Sequence, residues 1–160
     1  MGRITSKPES PSTLNRLREI LSFPGDRVGK ARRIAGAIRE MGGYRWAGIY
    51  DVSPEEIGVI AWSGPDAPAH PRFPASQGLC GAAVQARSTV AVGDVTRDKR
   101  YLTTLGTTRS EIVVPILNPA TGQVVGLLDV ESERNDAFGE GDRRCIEECA
   151  AALEPLWSRG

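Results

Sequence analysis

Hydrophobic positions along the chain follow two rhythms. Near the start, Leu14, Leu17 and Ile20/Leu21 fall on one helical face, with Ser12 or Thr13 as the expected N-cap. After "FPGD", the residues Val28, Ala31, Ile34/Ala35, Ile38 and Met41 make a second helical stripe, which the glycine pair at 42–43 ends. The rhythm then shortens to that of strands. "YRWAGIYDV", the turn "SPEE" and the returning "IGVIAWSG" predict a hairpin. "PDAPAHPRFPASQ" is a proline-rich loop with one short extended piece at most. "GLCGAAVQAR" predicts a short helix, "TVAVGDV" a strand, and "TRDKRYLTTLGT" a loop or helical turn. "SEIVVPIL", the turn "NPATG" and "QVVGLLDVES" predict a second hairpin. A last helix is expected from about Glu140 to Trp157, burying Ile146, Cys149/Ala150, Leu153 and Leu156/Trp157. Strands joined by hairpins imply an antiparallel sheet. The order of elements implies an α+β fold, with the long terminal helices on one face of the sheet and the middle loops over the other.

Length and charge narrow this picture. A chain of 160 residues suits one domain with one sizeable core. The polar, proline-containing "SKPESPS" sets residues 1–10 apart as a flexible N-terminus and leaves 11–160 as a single domain. Lys plus Arg and Asp plus Glu each total 20, so the net charge is zero and a general nucleic-acid binder is not expected. No apolar run reaches the roughly 18 residues of a membrane span, and the N-terminus has no signal-peptide core. The expectation is a cytoplasmic protein with no membrane partner. "MGRITS" fits the loose myristoylation pattern through Gly2 and Ser6, a match common by chance. Three cysteines make a disulfide framework improbable, so each is either reactive or packing.

Strand alternation assigns faces. Trp46, Gly48 and Tyr50 point the same way, and Gly48 leaves a gap between the rings wide enough for a small ligand; two core aromatics flanking a glycine are the plain alternative. In "QVVGLLDVES", Val125, Leu127, Asp129 and Glu131 share one face and Val124, Gly126, Leu128 and Val130 the other. Buried acids are costly unless paired, hydrogen-bonded or protonated, so Asp129 and Glu131 mark either a site or a strand end fraying into water. Glu111 opens another apolar strand on the face of Val113, where a salt bridge to Arg109 would be its ordinary explanation. If the second hairpin pairs through its turn, Glu111 and Asp129 converge. Three carboxylates facing two aromatic rings would suit a cationic amine.

"RWAGIY", "GLCGAA", "VAVGDV", "RSEIVVPI" and "GLLDVES" together resemble, in order and spacing, the landmarks of GAF domains, and more narrowly the free methionine-R-sulfoxide reductase branch of that family. The resemblance spans roughly residues 25–157. It implies the GAF (PAS-like) fold: a central antiparallel six-stranded sheet with a ligand pocket between the sheet and its covering loops. By matching motifs, Trp46 and Tyr50 would line that pocket. Glu111, Asp129 and Glu131 would hold the polar end of the ligand, with Glu131 standing where the branch usually has Asp. The branch reduces free methionine sulfoxide with cysteines from three positions. Cys80 matches the middle one, but His70 occupies the first and Thr104 the third, where the attacking thiol belongs. No cysteine lies in 81–144 to replace it.

The resulting reading is a stand-alone GAF domain that binds a small amine- or amino-acid-like metabolite and needs no cofactor. The alternative is a divergent free methionine-R-sulfoxide reductase. There Cys80 would attack the sulfoxide sulfur as a thiolate while Glu111 or Asp129 gives a proton to the departing oxygen. The sulfenic acid left on Cys80 would be resolved by thioredoxin or a small thiol. The resemblance brings positions 70 and 80 within reach of each other, so His70 could lower the thiol's pKa. His70, Cys80 and the acids also have ligand types plausible for zinc, though without a closely spaced pair, and no metal is expected. Cys145 and Cys149 sit on the buried stripe of the last helix and read as packing. A third possibility is a homodimer formed through the terminal helices, with the pocket vestigial.

Overall fold

The computed structural model describes residues 10–158, so the expected flexible segment 1–10 and the Gly2/Ser6 pattern fall almost wholly outside the described residues. Two helices open the structure, α1 (Ser10–Ser22) and α2 (Arg27–Gly42). The helix α1 starts ahead of Ser12 and Thr13, which are therefore helical residues and not its cap. In α2 the Asp26 carboxylate accepts from the Gly29 N–H at 2.6 Å, and Gly43 closes the last turn at φ 64°, a conformation that costs glycine little. Val28, expected on the buried stripe, is instead exposed; the stripe begins at Lys30 and Ala31.

The strands are β1 (Trp46–Val52), β2 (Glu56–Ser63), β3 (Arg72–Pro74), β4 (Val90–Val92), β5 (Ser110–Leu117) and β6 (Val124–Ser132). They form one sheet in the order β3-β2-β1-β6-β5-β4, with every neighbouring pair antiparallel. Helix α3 (Gly78–Ala86) and a 3₁₀ turn at Val95–Arg97 lie between β3 and β5. The last helix, α4 (Glu140–Ala152), stops short of Trp157. A 3₁₀ turn, Glu154–Leu156, with Pro155 in its first residues, replaces the expected final turns.

The sheet divides two apolar clusters by alternation. Ala47, Ile49, Ile112, Val114, Leu128 and Val130 pack against α1, α2 and α4. Trp46, Tyr50, Val113 and Leu127 face α3, Phe73 and the covering loops. The expected face assignment fails at one place on β6. The β5–β6 register shifts between Ile116 and Leu117, with Ile116 opposite Gly126 and Leu117 opposite Val124. Val125 is the extra residue of a bulge, so Val124 packs on the loop side and Val125 on the helix side. Beyond the bulge the alternation from Leu127 to Glu131 is as the sequence implies.

At the far end of β1 a polar clamp fixes the C-terminal turn. The Arg27 guanidinium donates to both oxygens of Asp51 and to the Leu156 carbonyl. The Trp157 indole donates to Asp51 at 2.7 Å and lies over Gly126, where an added Cβ would come within 2.1 Å of the ring.

Candidate functional site

The register of the central strands brings the three acids together. Glu111 lies opposite Glu131, and Val113 opposite Asp129, across β5 and β6. On the other side of β6, Trp46 pairs with Glu131, Gly48 with Asp129 and Tyr50 with Leu127. None of the acids frays into water: Glu111 is 3%, Asp129 1% and Glu131 0% exposed. No ion pair among the described residues reaches them, and Arg109 turns instead to the Thr108 carbonyl.

One partner comes from a residue the sequence reading passed over. Thr108 donates its hydroxyl to Glu131 Oε1 at 2.8 Å, and Thr104 lines the neighbouring cavity. Both threonines sit in the irregular segment before β5, where no periodicity reveals which side chains turn inward. Glu111 Oε2, Asp129 Oδ1 and Glu131 Oε2 find no donor from the protein. Burial holds all three carboxyl groups well above the usual carboxylate range, and the charge of one neighbouring acid adds to each shift: Glu131 on Glu111, Glu111 on Asp129 and Asp129 on Glu131. Burial therefore favours the neutral form of each acid, which keeps its proton. A bound cation would take the place of those protons.

Cys80 lies in the first turn of α3, a location that by itself would favour a thiolate. Burial outweighs it and raises the thiol's pKa well above the ordinary value, with Asp129, Glu111 and Glu131 adding to the shift. Cys80 is 5% exposed, and its sulfur lies with carboxylate oxygens of Glu111 and Asp129 within a span of 4.8 Å. His70 lines the same cavity but sits on the exposed loop at its mouth, and no hydrogen bond joins it to Cys80. Cys149 is packed on the helix side of the sheet, opposite the site, and burial pushes its thiol up to about 12. Cys145 is half-buried on the same helix.

The expected gap between Trp46 and Tyr50 is closed. A Cβ on Gly48 would meet the Trp46 ring at 2.2 Å, because the indole lies across the bare glycine backbone. The ring also covers Gly64 and donates Nε1–H to the Asp66 carbonyl at 3.1 Å. The two aromatic centroids are 6.3 Å apart and tilted by 45°. The void lies on the other side of Tyr50. It is a cavity of about 10 Å³ bounded by Tyr50, Cys80, Glu111, Asp129, Phe73 and Leu79, with Leu102, Thr103, Thr104 and His70 over it. That is the room a single water needs. Neither Trp46 nor Glu131 lines it; Glu131 lies behind it, paired across the strands with Glu111 and Trp46. Phe73, Leu79 and Leu102 were not singled out from the sequence, since a three-residue strand, the first turn of a short helix and a loop are too short to show a period. The cover is tied across its own two segments by the Ala69 N–H, which donates to the Thr104 carbonyl at 3.0 Å.

Comparison with known proteins bears on this arrangement. A family model described as "GAF domain" matches residues 26–154. "GAF domain-containing protein A" of Dictyostelium discoideum is 28% identical over 142 residues, covering 88% of this chain and 87% of that protein. A free methionine-R-sulfoxide reductase of Saccharomyces cerevisiae is 30% identical over 111 residues, 68% of this chain and 60% of the yeast protein. Among solved structures, the free methionine-R-sulfoxide reductase from Neisseria meningitidis in complex with its substrate superposes with a TM-score of 0.85 at 29% identity, covering 98% of this chain and 93% of that one. No helix of the described residues is long and apolar enough to cross a membrane.

Proposed function

This chain belongs to the GAF domain family, and from that premise we propose that it binds a small metabolite through a primary ammonium group. The observation that carries the reading is the set of three buried carboxyl groups without a protein cation, each presenting one oxygen that no protein donor reaches. Three acceptors match the three N–H bonds of an alkylammonium. Phe73, Leu79 and Tyr50 supply apolar walls for the remainder of such a ligand. The similarity to reductases named for free methionine-R-sulfoxide makes free amino acids the first class to test. A cavity of about 10 Å³ admits none of them as it stands, so entry requires the cover at 98–108 to lift from Cys80 and Tyr50.

Calorimetric titration with L-methionine, its sulfoxide and N-acetyl-methionine tests this. The free amino acids are expected to bind and the acetylated one, which lacks the ammonium, is not. Asp129→Asn should abolish the binding. Equal binding of the acetylated compound would discard the reading.

A second reading, the divergent reductase, is favoured by one contact: Cys80 shares its cavity with two protonated acids able to give a proton to a departing oxygen. Against it stands the thiol itself, held in the protonated, non-nucleophilic form by burial among carboxyl groups. A thioredoxin-coupled assay with free methionine-R-sulfoxide decides between them. The expected result is no turnover above the enzyme-free rate; turnover that Cys80→Ser abolishes would replace the first reading with the second.

A further inference from the structure

We propose that Cys80, Glu111 and Asp129 form a binding site for one divalent ion of the zinc class, taken up in the covered state of the pocket. One ligand atom from each residue lies within 4.8 Å of the others. Tetrahedral zinc, with bonds of about 2.0–2.3 Å, sets its ligand atoms about 3.5 Å apart. The cluster therefore has to contract by little more than an ångström, which side-chain rotation of Glu111 and Asp129 supplies.

Three further observations point to an ion at this spot. Glu111 Oε2 and Asp129 Oδ1 are buried, lack a protein donor and belong to residues that line the void. The void itself, about 10 Å³, is too small for an amino acid but large enough for one ion or one water. Finally, no Lys or Arg among the described ion pairs neutralises the carboxylates.

The donor set selects the metal. One sulfur with two carboxylates is borderline-soft, which favours zinc, cobalt or cadmium over magnesium and calcium; those take six or more oxygens. Coordination would remove the Cys80 proton outright. Three protein ligands leave the fourth tetrahedral position without a protein donor, the composition of an open zinc site. This inference does not rest on ammonium binding, and the two differ in one residue each. The metal uses Cys80 and not Glu131; the ammonium uses Glu131 and not Cys80. Both need Glu111 and Asp129, so the two occupants should exclude each other.

The test uses the full chain, freed of metal by chelator and held reduced. Cobalt(II) is titrated and followed by absorption, and zinc is followed by calorimetry with magnesium in excess. The expected result is one ion per chain, a thiolate-to-cobalt charge-transfer band, and displacement of cobalt by zinc. Cys80→Ser should remove the band and weaken zinc by more than the roughly 10–100-fold that loss of a hydrogen bond supporting a metal ligand costs. Glu131→Gln should leave both intact while losing methionine binding. Cys145→Ser, in the helix α4 that packs on the helix-side core, should change neither. No cobalt band, or a band that survives Cys80→Ser, would overturn the proposal.

Discussion

At Asp129, register, burial and chemistry act on one carboxyl group. It faces Gly48 on β1 and Val113 on β5, and it lies 1% exposed in a cluster with Glu111 and Glu131. In the unfolded chain these acids ionise near pH 4; in the fold, burial first and the neighbouring acids second hold their protons to higher pH. A raised folded pKa gives stability that is complete below the unfolded value and lost as pH rises through the folded one. Glu131→Gln removes one such group. In the presence of chelator its melting temperature should therefore fall less steeply than the parent's as pH rises above the unfolded value of about 4, as read by thermal denaturation at each pH. A parallel fall would mean that folding does not raise the pKa of Glu131. Gly48 offers a second test. An alanine there would put a methyl 2.2 Å from the Trp46 ring, with the Gly64 backbone beneath the indole leaving little room to retreat. A loss of about 1–3 kcal/mol is expected for Gly48→Ala, measured by urea unfolding; a neutral change would show that the ring can move aside.

Among the elements, β1 and β6 do most to set the site, because each carries one row of residues into the helix-side core and another into the pocket. Ile49, fully buried between α2 and the sheet, anchors the first row. Ile49→Ala should cost about 2–5 kcal/mol and also loosen the pocket, since Tyr50 follows it directly; chemical denaturation gives the first and affinity for methionine the second. The strands, both hairpins and the short helix of Cys80 were legible in the sequence because alternation and turn residues are local signals. So was the convergence of Glu111, Asp129 and Glu131, which needs only the pairing of one hairpin and a strand with acids on its apolar face. The bulge at Val125 was not legible, since an extra residue changes no side-chain type. Nor was the collapse of Trp46 onto Gly48: a glycine between two rings signals either a vacancy or a close approach, and only coordinates tell which. Val28 showed that a residue in the first turn of a helix can keep the stripe's period and still lie beyond the edge of its neighbour. The inward turn of Thr104 and Thr108 depends on a loop whose path is set by the walls it covers.

For the molecule as a whole, one sheet serves both apolar clusters, so the two cores share their central strands and should unfold in a single transition. The Arg27–Asp51–Trp157 clamp joins the first helices, the sheet and the C-terminal turn. Its hydrogen bonds and the nearby Arg27 charge hold Asp51 below the usual carboxylate range despite partial burial. A depressed pKa gives stability that is present above the unfolded value and lost as pH falls through the folded one. Asp51→Asn should therefore show a flatter loss of stability on acidification below about pH 4, read from melting temperatures; an unchanged acid limb would show that the clamp contributes nothing there. The cover, by contrast, is held by few bonds, and amides of 98–108 should exchange with deuterium faster than those of β5 and slow when methionine binds. The indole of Trp46 touches both worlds: it is fully buried, it rests on the sheet, and its N–H holds the Asp66 carbonyl at the edge of that cover. Trp62 and Trp157 are both partly in contact with solvent. The molecule thus carries a built-in fluorophore whose short-wavelength emission should report, without any added label, whether its lid is shut.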